Sequence, residues 1–188
     1  MTEVSSASPA VRDARSTPFE VNRITHTSWR AIAAPVLSLS DHEIRIDTGV
    51  MSATLAYRPR PGLPPALPTG TWKGVLQSLD AVPDHKEAGA GLLRFGFLGA
   101  PLHTALHQVV DTSALDMSYC SIHRHPDEGE FNLMLPAENA TLDYEVYDAT
   151  WTTVRAPTQL WFSRGVAHGA RAVSGIGFFF VLRLPEDR

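Results

Sequence analysis

Two histidines one residue apart, His123 and His125, are the first side chains in the sequence whose types and spacing suggest chemistry. In a β-strand, residues two apart project from the same side, with Cα atoms roughly 6.5–7 Å apart. Imidazole nitrogens bind divalent metals at about 2.0–2.1 Å, so two such neighbours are able to share one ion. The alternative is a strand end with two solvated histidines, and the pair alone does not decide between the two.

Two further side chains complete a candidate ligand set. The Pro-Asp-Glu-Gly turn at 126–129 reverses the chain, and Glu130 opens the next strand, so a carboxylate reaches the histidines from an adjacent strand. Glu128 is a rival, but its place within the turn favours Glu130. Downstream, Gly165 permits a tight turn and His168 follows it. Three imidazoles and a carboxylate suit Fe, Mn, Ni, Co or Zn, and ligand type alone does not choose among them.

The elements that must position these residues are predicted to be short β-strands. Apolar and charged residues alternate at 43–47 and the pattern continues in the same style at 50–59, and a Thr-Gly turn joins the two segments, so a hairpin is predicted there. The sequence of the second half of the chain predicts an antiparallel sandwich or barrel, because many short strand-like segments follow one another with Gly, Pro and Asn turns between them. The predicted strands are 91–99, 102–111, 115–125, 130–135, 142–148, 159–165 and 177–184.

Between these two regions the pattern changes. Apolar residues recur at helical spacing over 72–79, Thr71 is a suitable N-cap and Pro83 marks a stop, so a helix is predicted here. The fold class is therefore mainly β with one or two short helices. The proline-rich stretch 59–70 cannot pair regularly in a sheet, so it is predicted to be a long loop, serving as a lid or a domain edge.

Length and composition narrow the classes of protein. With 188 residues, a single domain at 19–188 is expected, preceded by a mobile tail at 1–18 that has almost nothing to bury. The net charge of −4 and the lack of a Lys/Arg run argue against nucleic-acid binding. The single cysteine, Cys120, excludes an intramolecular disulfide and a Cys-based zinc site. No signal peptide or membrane-length apolar run is present, so a cytoplasmic protein is expected.

The candidate ligands and their spacing resemble the motifs of the cupins. Their first motif has two histidines one residue apart followed by a glutamate, and their second has Pro-x-Gly-x-x-His; residues 163–168 fit the second except that Ser163 replaces the proline. The resemblance covers about residues 100–184 and departs from the family at several turn glycines. It implies an antiparallel double-stranded β-helix, or jelly roll, that holds one divalent metal ion inside the barrel. The implied ligands are His123, His125, Glu130 and His168.

The same resemblance directs attention to residues around that ion. Tyr119 and His103 are candidates for a catalytic acid or base. His103 and His107 do not form a metalloprotease pair, because Thr104 stands where that motif needs a glutamate. Four further residues are candidates for the substrate pocket, although core or surface positions are the plainer reading of each: Asn132, Met134, Trp161 and Arg171.

Three functions follow as hypotheses. The first is a metal-dependent enzyme for a small organic molecule, with Fe(II)-dependent oxygenase chemistry as its leading form, because three or four protein ligands leave coordination positions open. The second is a redox-neutral isomerase, lyase or cyclase that uses the metal as a Lewis acid. The third is a non-catalytic module that binds a small ligand. Members of the family often form dimers through their sheet edges, so a homodimer is also expected.

Overall fold

The computed structural model describes residues 17–28, 30–32 and 34–187. Five strands form a sheet that we call the outer sheet: β1 (Phe19–His26), β2 (Val36–Ser40), β3 (Glu43–Asp47), β4 (Met51–Tyr57) and β5 (Gly70–Lys73). Their spatial order is β1-β4-β3-β2-β5, and every neighbouring pair is antiparallel. The hairpin predicted at 43–47 and 50–59 is present as β3 and the slightly shorter β4.

The remaining strands form two more antiparallel sheets. The chain continues through β6 (Val75–Gln77), β7 (Leu92–Gly96), β8 (Thr104–Val109), β9 (Glu128–Pro136), β10 (Leu142–Asp148), β11 (Thr150–Arg155), β12 (Thr158–Phe162), β13 (His168–Gly175) and β14 (Gly177–Pro185). The central sheet has the order β12-β9-β14-β8-β7-β6, and the small sheet has the order β11-β10-β13. The central sheet therefore begins at Val75, before the residues to which the motif resemblance extends.

The central sheet is buried on both of its faces. Phe178, Phe180 and Leu182 belong to the apolar core shared with the outer sheet, whereas Phe179 and Val181 belong to the core shared with the small sheet. Alternate residues of a strand point to opposite faces, so a strand covered on both sides has to be apolar throughout. This arrangement explains the continuous apolar run of β14, and it places the interior of the barrel between the central and small sheets.

The all-β antiparallel class is confirmed, and the fold is cupin-like, but the helix predicted at 71–82 is wrong. Those residues form β5, β6 and the segment after them, and Trp72 packs against the outer-sheet core. Val75 and Leu76 are exposed, so the apolar residues do not form one buried helical face. The only helix among the described residues is a 3-10 turn at Thr112–Ala114. The described part of the chain therefore has no helix that is long and apolar enough to cross a membrane.

A second correction concerns the strand predicted at 115–125. After the 3-10 turn this segment is a loop, joined to the rest of the chain by the isolated bridges His85–Cys120 and His123–His168. The predicted tail at 1–18 lies outside the described residues except for Thr17 and Pro18. The proline-rich segment 59–70 contains no strand before Gly70, and its Leu67 is buried in the outer-sheet core rather than beside the barrel interior.

Candidate metal centre

Three imidazoles and one carboxylate meet at one end of the barrel. One ligand atom from each of His123, His125, Glu130 and His168 lies within 4.8 Å of the other three. The histidine ring centroids are 4.6–5.1 Å apart. Glu130 and His168 are buried, whereas His123 and His125 are partly exposed. These four residues, called the ligand cluster below, are the set that the sequence motifs implied.

The cluster is assembled from a loop and two strands. His123 lies in the loop before β9, and its backbone exchanges two 3.0 Å hydrogen bonds with His168, the first residue of β13. Glu130 is on β9 in the central sheet, so the ligands bridge the two walls of the barrel. The two loop histidines converge because the His123–His168 bridge fixes the loop, and not because they alternate along a strand as predicted.

Backbone carbonyls orient two of the imidazoles. The Nδ1–H of His123 donates to the carbonyl of Ser121, and that of His168 donates to the carbonyl of Val166, both at 2.9 Å. A bond of this kind fixes the tautomer and leaves the Nε2 lone pair free for a metal. The ring of His168 is also held by stacking on Phe162, with centroids 4.6 Å apart and planes 12° apart.

Glu130 is surrounded by groups that favour its charged form. Arg183 Nε donates to Oε2 at 3.0 Å and Asn132 Nδ2 donates to Oε1 at 2.8 Å, while His125 Nε2 lies 3.0 Å from Oε2. Burial alone would raise the pKa of Glu130, but the neighbouring imidazoles of His125 and His168 and the charge of Arg183 hold that pKa well below its usual value. The side chain is therefore a carboxylate at neutral pH and is available as an anionic ligand.

The residues present fit a divalent metal. The buried Nε2 of His168 has no hydrogen-bond partner, and its nearest carboxylate oxygen, Glu130 Oε1, is 3.5 Å away. A buried nitrogen without a partner is costly, and a metal ion beside it would remove that cost. Burial lowers the pKa of His123 to about 4, and the neighbouring histidines add a smaller effect in the same direction. Its imidazole is therefore neutral, as a metal ligand must be.

A small, partly open cavity adjoins the ligand cluster inside the barrel. Its volume is about 30 Å³, and Glu130, His123 and His168 form part of its wall. A wider cavity of about 400 Å³ lies next to it on the side of Val82, Arg94 and His103, which line both spaces. These shared residues therefore form the boundary between the outer space and the ligand cluster.

The structure separates the other predicted site residues into three groups. Tyr119 and His103 line the inner cavity. Asn132 contacts Glu130, and Met134 lies deeper in the same core. Trp161 and Arg171 do not reach the cavity: Trp161 is in the outer-sheet core, and Arg171 pairs with Glu145 at 2.6 Å and lies over the ring of Trp151. Trp161 and Arg171 point away from the cavity because alternate residues of a strand face opposite sides. Their neighbours Leu160 and Ala170 point inward instead.

Environment gives the two predicted acid–base residues different characters. Burial lowers the pKa of His103 to about 4, and the charge of Arg183 adds to this effect, so His103 is a neutral imidazole at pH 7. Burial raises the pKa of Tyr119, whose hydroxyl oxygen accepts a 2.7 Å hydrogen bond from the Ala172 N–H. Tyr119 is therefore a neutral phenol. Their catalytic roles stay a prediction.

The sequence reasoning missed Arg94, His85 and the role of Arg183 beside Glu130. Arg94 is 6% exposed and lies on the interior face of β7. A signal was present, since Arg94 interrupts an otherwise apolar strand, Leu-Leu-Arg-Phe-Gly. A charged residue inside such a strand seldom belongs to a plain core.

Comparisons with known proteins find similarity to solved structures but to no family model and no curated protein. No protein-family model matches the sequence, and no curated protein does. Solved structures that are similar include an RmlC-like cupin from Shewanella frigidimarina (17% identity, TM-score 0.39, 54% of this chain and 82% of that chain). KdgF from a Halomonas species is also similar (16% identity, TM-score 0.39, 55% and 88%). A third is HEPD from Streptomyces albus with 2-hydroxyethylphosphonate and Fe(II) bound (10% identity, TM-score 0.41, 62% and 26%).

Superpositions at this level carry no argument about family membership or activity. The cupin-like description rests on features of this chain, namely the antiparallel central and small sheets and a cluster of three histidines and one glutamate between them. Together they define the class as a cupin-like protein with a candidate site for a divalent metal. The identity of the metal and the substrate belong to the proposal that follows.

Proposed function

We propose that this protein is a metal-dependent enzyme that acts on a small organic molecule, and that it uses Fe(II) for oxygenase chemistry. The observation that carries the proposal is the convergence of His123, His125, Glu130 and His168, with one ligand atom each within 4.8 Å of the others. The donor set supports iron, because imidazole and carboxylate ligands together are typical of non-haem Fe(II) sites. The space of about 400 Å³ that lies next to the inner cavity supports an enzyme, since it has the size of a small-molecule pocket and a purely structural ion site needs no such space.

Each residue has a distinct task in this proposal. The imidazoles of His123, His125 and His168 would hold the ion, and the Glu130 carboxylate would contribute a negative charge. A bound Fe(II) ion would supply electron transfer between a small organic substrate and O₂. Asn132 and Arg183 keep the Glu130 carboxylate in place through their hydrogen bonds to its two oxygens. Phe179 and Val181 help to line the cavity with apolar surface, which limits the access of water.

The ligand cluster has a simpler explanation that a measurement has to exclude. Glu130, Arg183 and the histidines form a hydrogen-bonded network that would also neutralise a buried carboxylate without any metal. That explanation leaves the Nε2 of His168 buried and without a partner. It predicts no saturable metal binding, whereas the proposal predicts one ion per chain.

Oxygen uptake tests the oxygenase proposal directly. The Fe(II)-loaded protein should consume O₂ when it is mixed with a panel of small hydroxy, keto and thiol acids, and His168→Ala should abolish both iron retention and O₂ uptake. Ser163→Ala is a suitable control, because it changes a residue of the second motif that is not a ligand. Substrate turnover without O₂ in protein loaded with zinc, nickel or manganese would instead establish Lewis-acid chemistry. Iron retention and O₂ uptake that survive in His168→Ala would contradict the assignment.

A further inference from the structure

Arg94 is a buried cation without a carboxylate partner. It is 6% exposed, and among the described residues no aspartate or glutamate forms an ion pair with it. Within the described part of the chain, its hydrogen bond to a side chain runs from Nη1 to Oε1 of Gln77, its cross-strand neighbour on β6. A guanidinium has five N–H donors and stays charged at all physiological pH values, so the donors of Arg94 that Gln77 does not accept are available to a molecule in the cavities that Arg94 lines.

The position of Arg94 is maintained by the strands around it. Gln77 and Arg94 are paired in the β6–β7 register, and Arg94 is paired with His107 across β8. The side chain of Gln77 lies over Gly96, where a Cβ would be 2.1 Å from its Oε1. The glycine therefore leaves room for the amide that contacts Arg94. A guanidinium that is held in place at a cavity wall without a carboxylate partner is suited to bind an anion there.

The charge balance of the cavity favours the same conclusion. Its wall contains the guanidinium groups of Arg94 and Arg183, whereas Glu130 supplies its carboxylate and is already paired with Arg183. A divalent metal in the ligand cluster would make the cavity still more positive. Arg94 also lines the wider outer space, so it lies where a molecule entering from that side would meet it before the ligand cluster.

We propose that Arg94 binds the carboxylate of a small organic acid, which orients the rest of that molecule toward the ligand cluster. The inference rests on the proposed function, since it assigns the substrate class of the same site. A guanidinium and a carboxylate match in a planar, two-bond geometry, which gives both affinity and orientation. Gln77 is a positioning residue in this arrangement, because it contacts Arg94 rather than the acid.

Ligand-observed NMR titration with propionate and propionamide tests the inference in the full-length protein. The two probes have the same shape and differ in charge, and because a carboxylate can itself bind zinc, the titration of the metal-free protein is the one that decides. The titration is made with metal-free protein and repeated with zinc-loaded protein. Propionate should bind at least tenfold more tightly than propionamide in both forms. Arg94→Gln should remove that preference. Arg94→Lys should keep part of it, because lysine has the positive charge but not the planar pair of N–H donors of the guanidinium.

Arg155→Gln is the matched control, since Arg155 pairs with Asp143 on an exposed surface. Its selectivity for propionate should equal that of the wild type. If Arg94→Gln does not fold, the loss of affinity in Arg94→Lys carries the test. Equal affinity for the two probes, or a preference for propionate that survives in Arg94→Gln, would overturn the inference.

The outcome is separable from that of the proposed function. Protein that binds no metal but keeps an Arg94-dependent preference for propionate would refute the metal enzyme and leave the anion site standing. Protein that binds one metal ion and shows no such preference would overturn only the anion site.

Discussion

At the residue scale, the histidines are oriented before any ion arrives. His123 and His168 each donate a 2.9 Å hydrogen bond from Nδ1 to a backbone carbonyl two residues earlier in the chain. Glu130 is held by Asn132 and Arg183 at its two oxygens. Because these contacts are made by the protein itself, binding an ion requires little rearrangement of the side chains. Supporting contacts of this kind control affinity nearly as strongly as the ligands do.

Asn132→Leu tests the support of Glu130. The substitution keeps the volume of the side chain, removes the hydrogen bond to Oε1 and also removes a buried amide oxygen that has no partner. Metal affinity, measured by competition with a chromogenic chelator, should fall about 10- to 100-fold while the circular dichroism spectrum stays unchanged. Met134→Leu, two residues further along β9 on the same face, should leave the affinity unchanged. Equal affinities in both variants would show that Asn132 does not support the site.

Buried histidines should make the stability of the metal-free protein depend on pH. Burial, followed by the charge of Arg94, holds the pKa of His107 well below 6.5, and the pKa of His103 is lowered to about 4. Because the folded pKa is the lower one, the unfolded chain binds more protons as the pH falls from about 6.5 to 4. The stability contribution is therefore complete above pH 6.5 and is lost as the pH falls toward 4.

Urea denaturation at pH 7, 6 and 5 measures this effect. The midpoint of the wild type should decrease with falling pH, and the decrease should be smaller in His107→Gln. His42→Gln, which removes an exposed imidazole, serves as the control and should follow the wild type. A His107→Gln midpoint that falls as steeply as that of the wild type would refute the assignment.

At the scale of the elements, the strands were predictable where one pattern excluded the others. The β3–β4 hairpin followed from alternation, and β14 followed from its apolar run. The helix prediction at 71–82 was wrong because the spacing of the apolar residues there also suits two short edge strands. Only the structure shows that Val75 and Leu76 are exposed. The strand prediction at 115–125 was wrong because the conformation of this loop is fixed by bridges to distant residues, which a local sequence pattern does not show.

Strand β9 carries a steric constraint directly beside a ligand. A Cβ on Gly129 would lie 2.2 Å from the ring of Trp161, whereas a Cβ on Gly169 would meet its nearest atoms at 3.4 Å. Each glycine is adjacent to a ligand, Glu130 or His168, and each is buried. Gly129→Ala should therefore lower the free energy of unfolding by about 1–3 kcal/mol, the range typical of overpacking.

The same substitution should weaken metal binding, because moving Trp161 or the β9 backbone displaces Glu130. Gly169→Ala is the matched control, and its stability and metal affinity should remain close to those of the wild type. Calorimetric unfolding and metal titration of both variants provide the comparison. A Gly129→Ala protein as stable as Gly169→Ala would show that the space beside Trp161 is not restrictive.

At the scale of the whole molecule, the outer sheet completes the core rather than the site. Its strands cover the face of the central sheet that carries Phe131, Leu133, Phe178 and Phe180, and all of these side chains are buried. The ligand cluster lies on the opposite face. The sequence indicated the cluster through its motifs, but it gave no sign that a first-half sheet stacks on the barrel, because such stacking depends on contacts between distant segments.

A fragment of residues 75–188 should expose that apolar face. It keeps the central and small sheets and all four ligands, yet it loses the cover of a fully apolar surface. We expect it to bind the dye ANS strongly and to lose its near-ultraviolet circular dichroism, whereas the full chain should do neither. A soluble fragment with a native-like near-ultraviolet spectrum and full metal affinity would show that the outer sheet is not needed to cover the apolar face of the central sheet.

The central claim is that the ligand cluster binds one divalent metal ion per chain. The most direct measurement is elemental analysis of the full-length protein after loading with Fe(II) under anaerobic conditions and removal of free metal, made in parallel on His123→Ala and His168→Ala. The account predicts close to one iron atom per wild-type chain and almost none in either variant, with unchanged circular dichroism spectra. A wild-type protein that retains neither iron nor any other divalent metal would contradict the account, and so would variants that retain as much metal as the wild type.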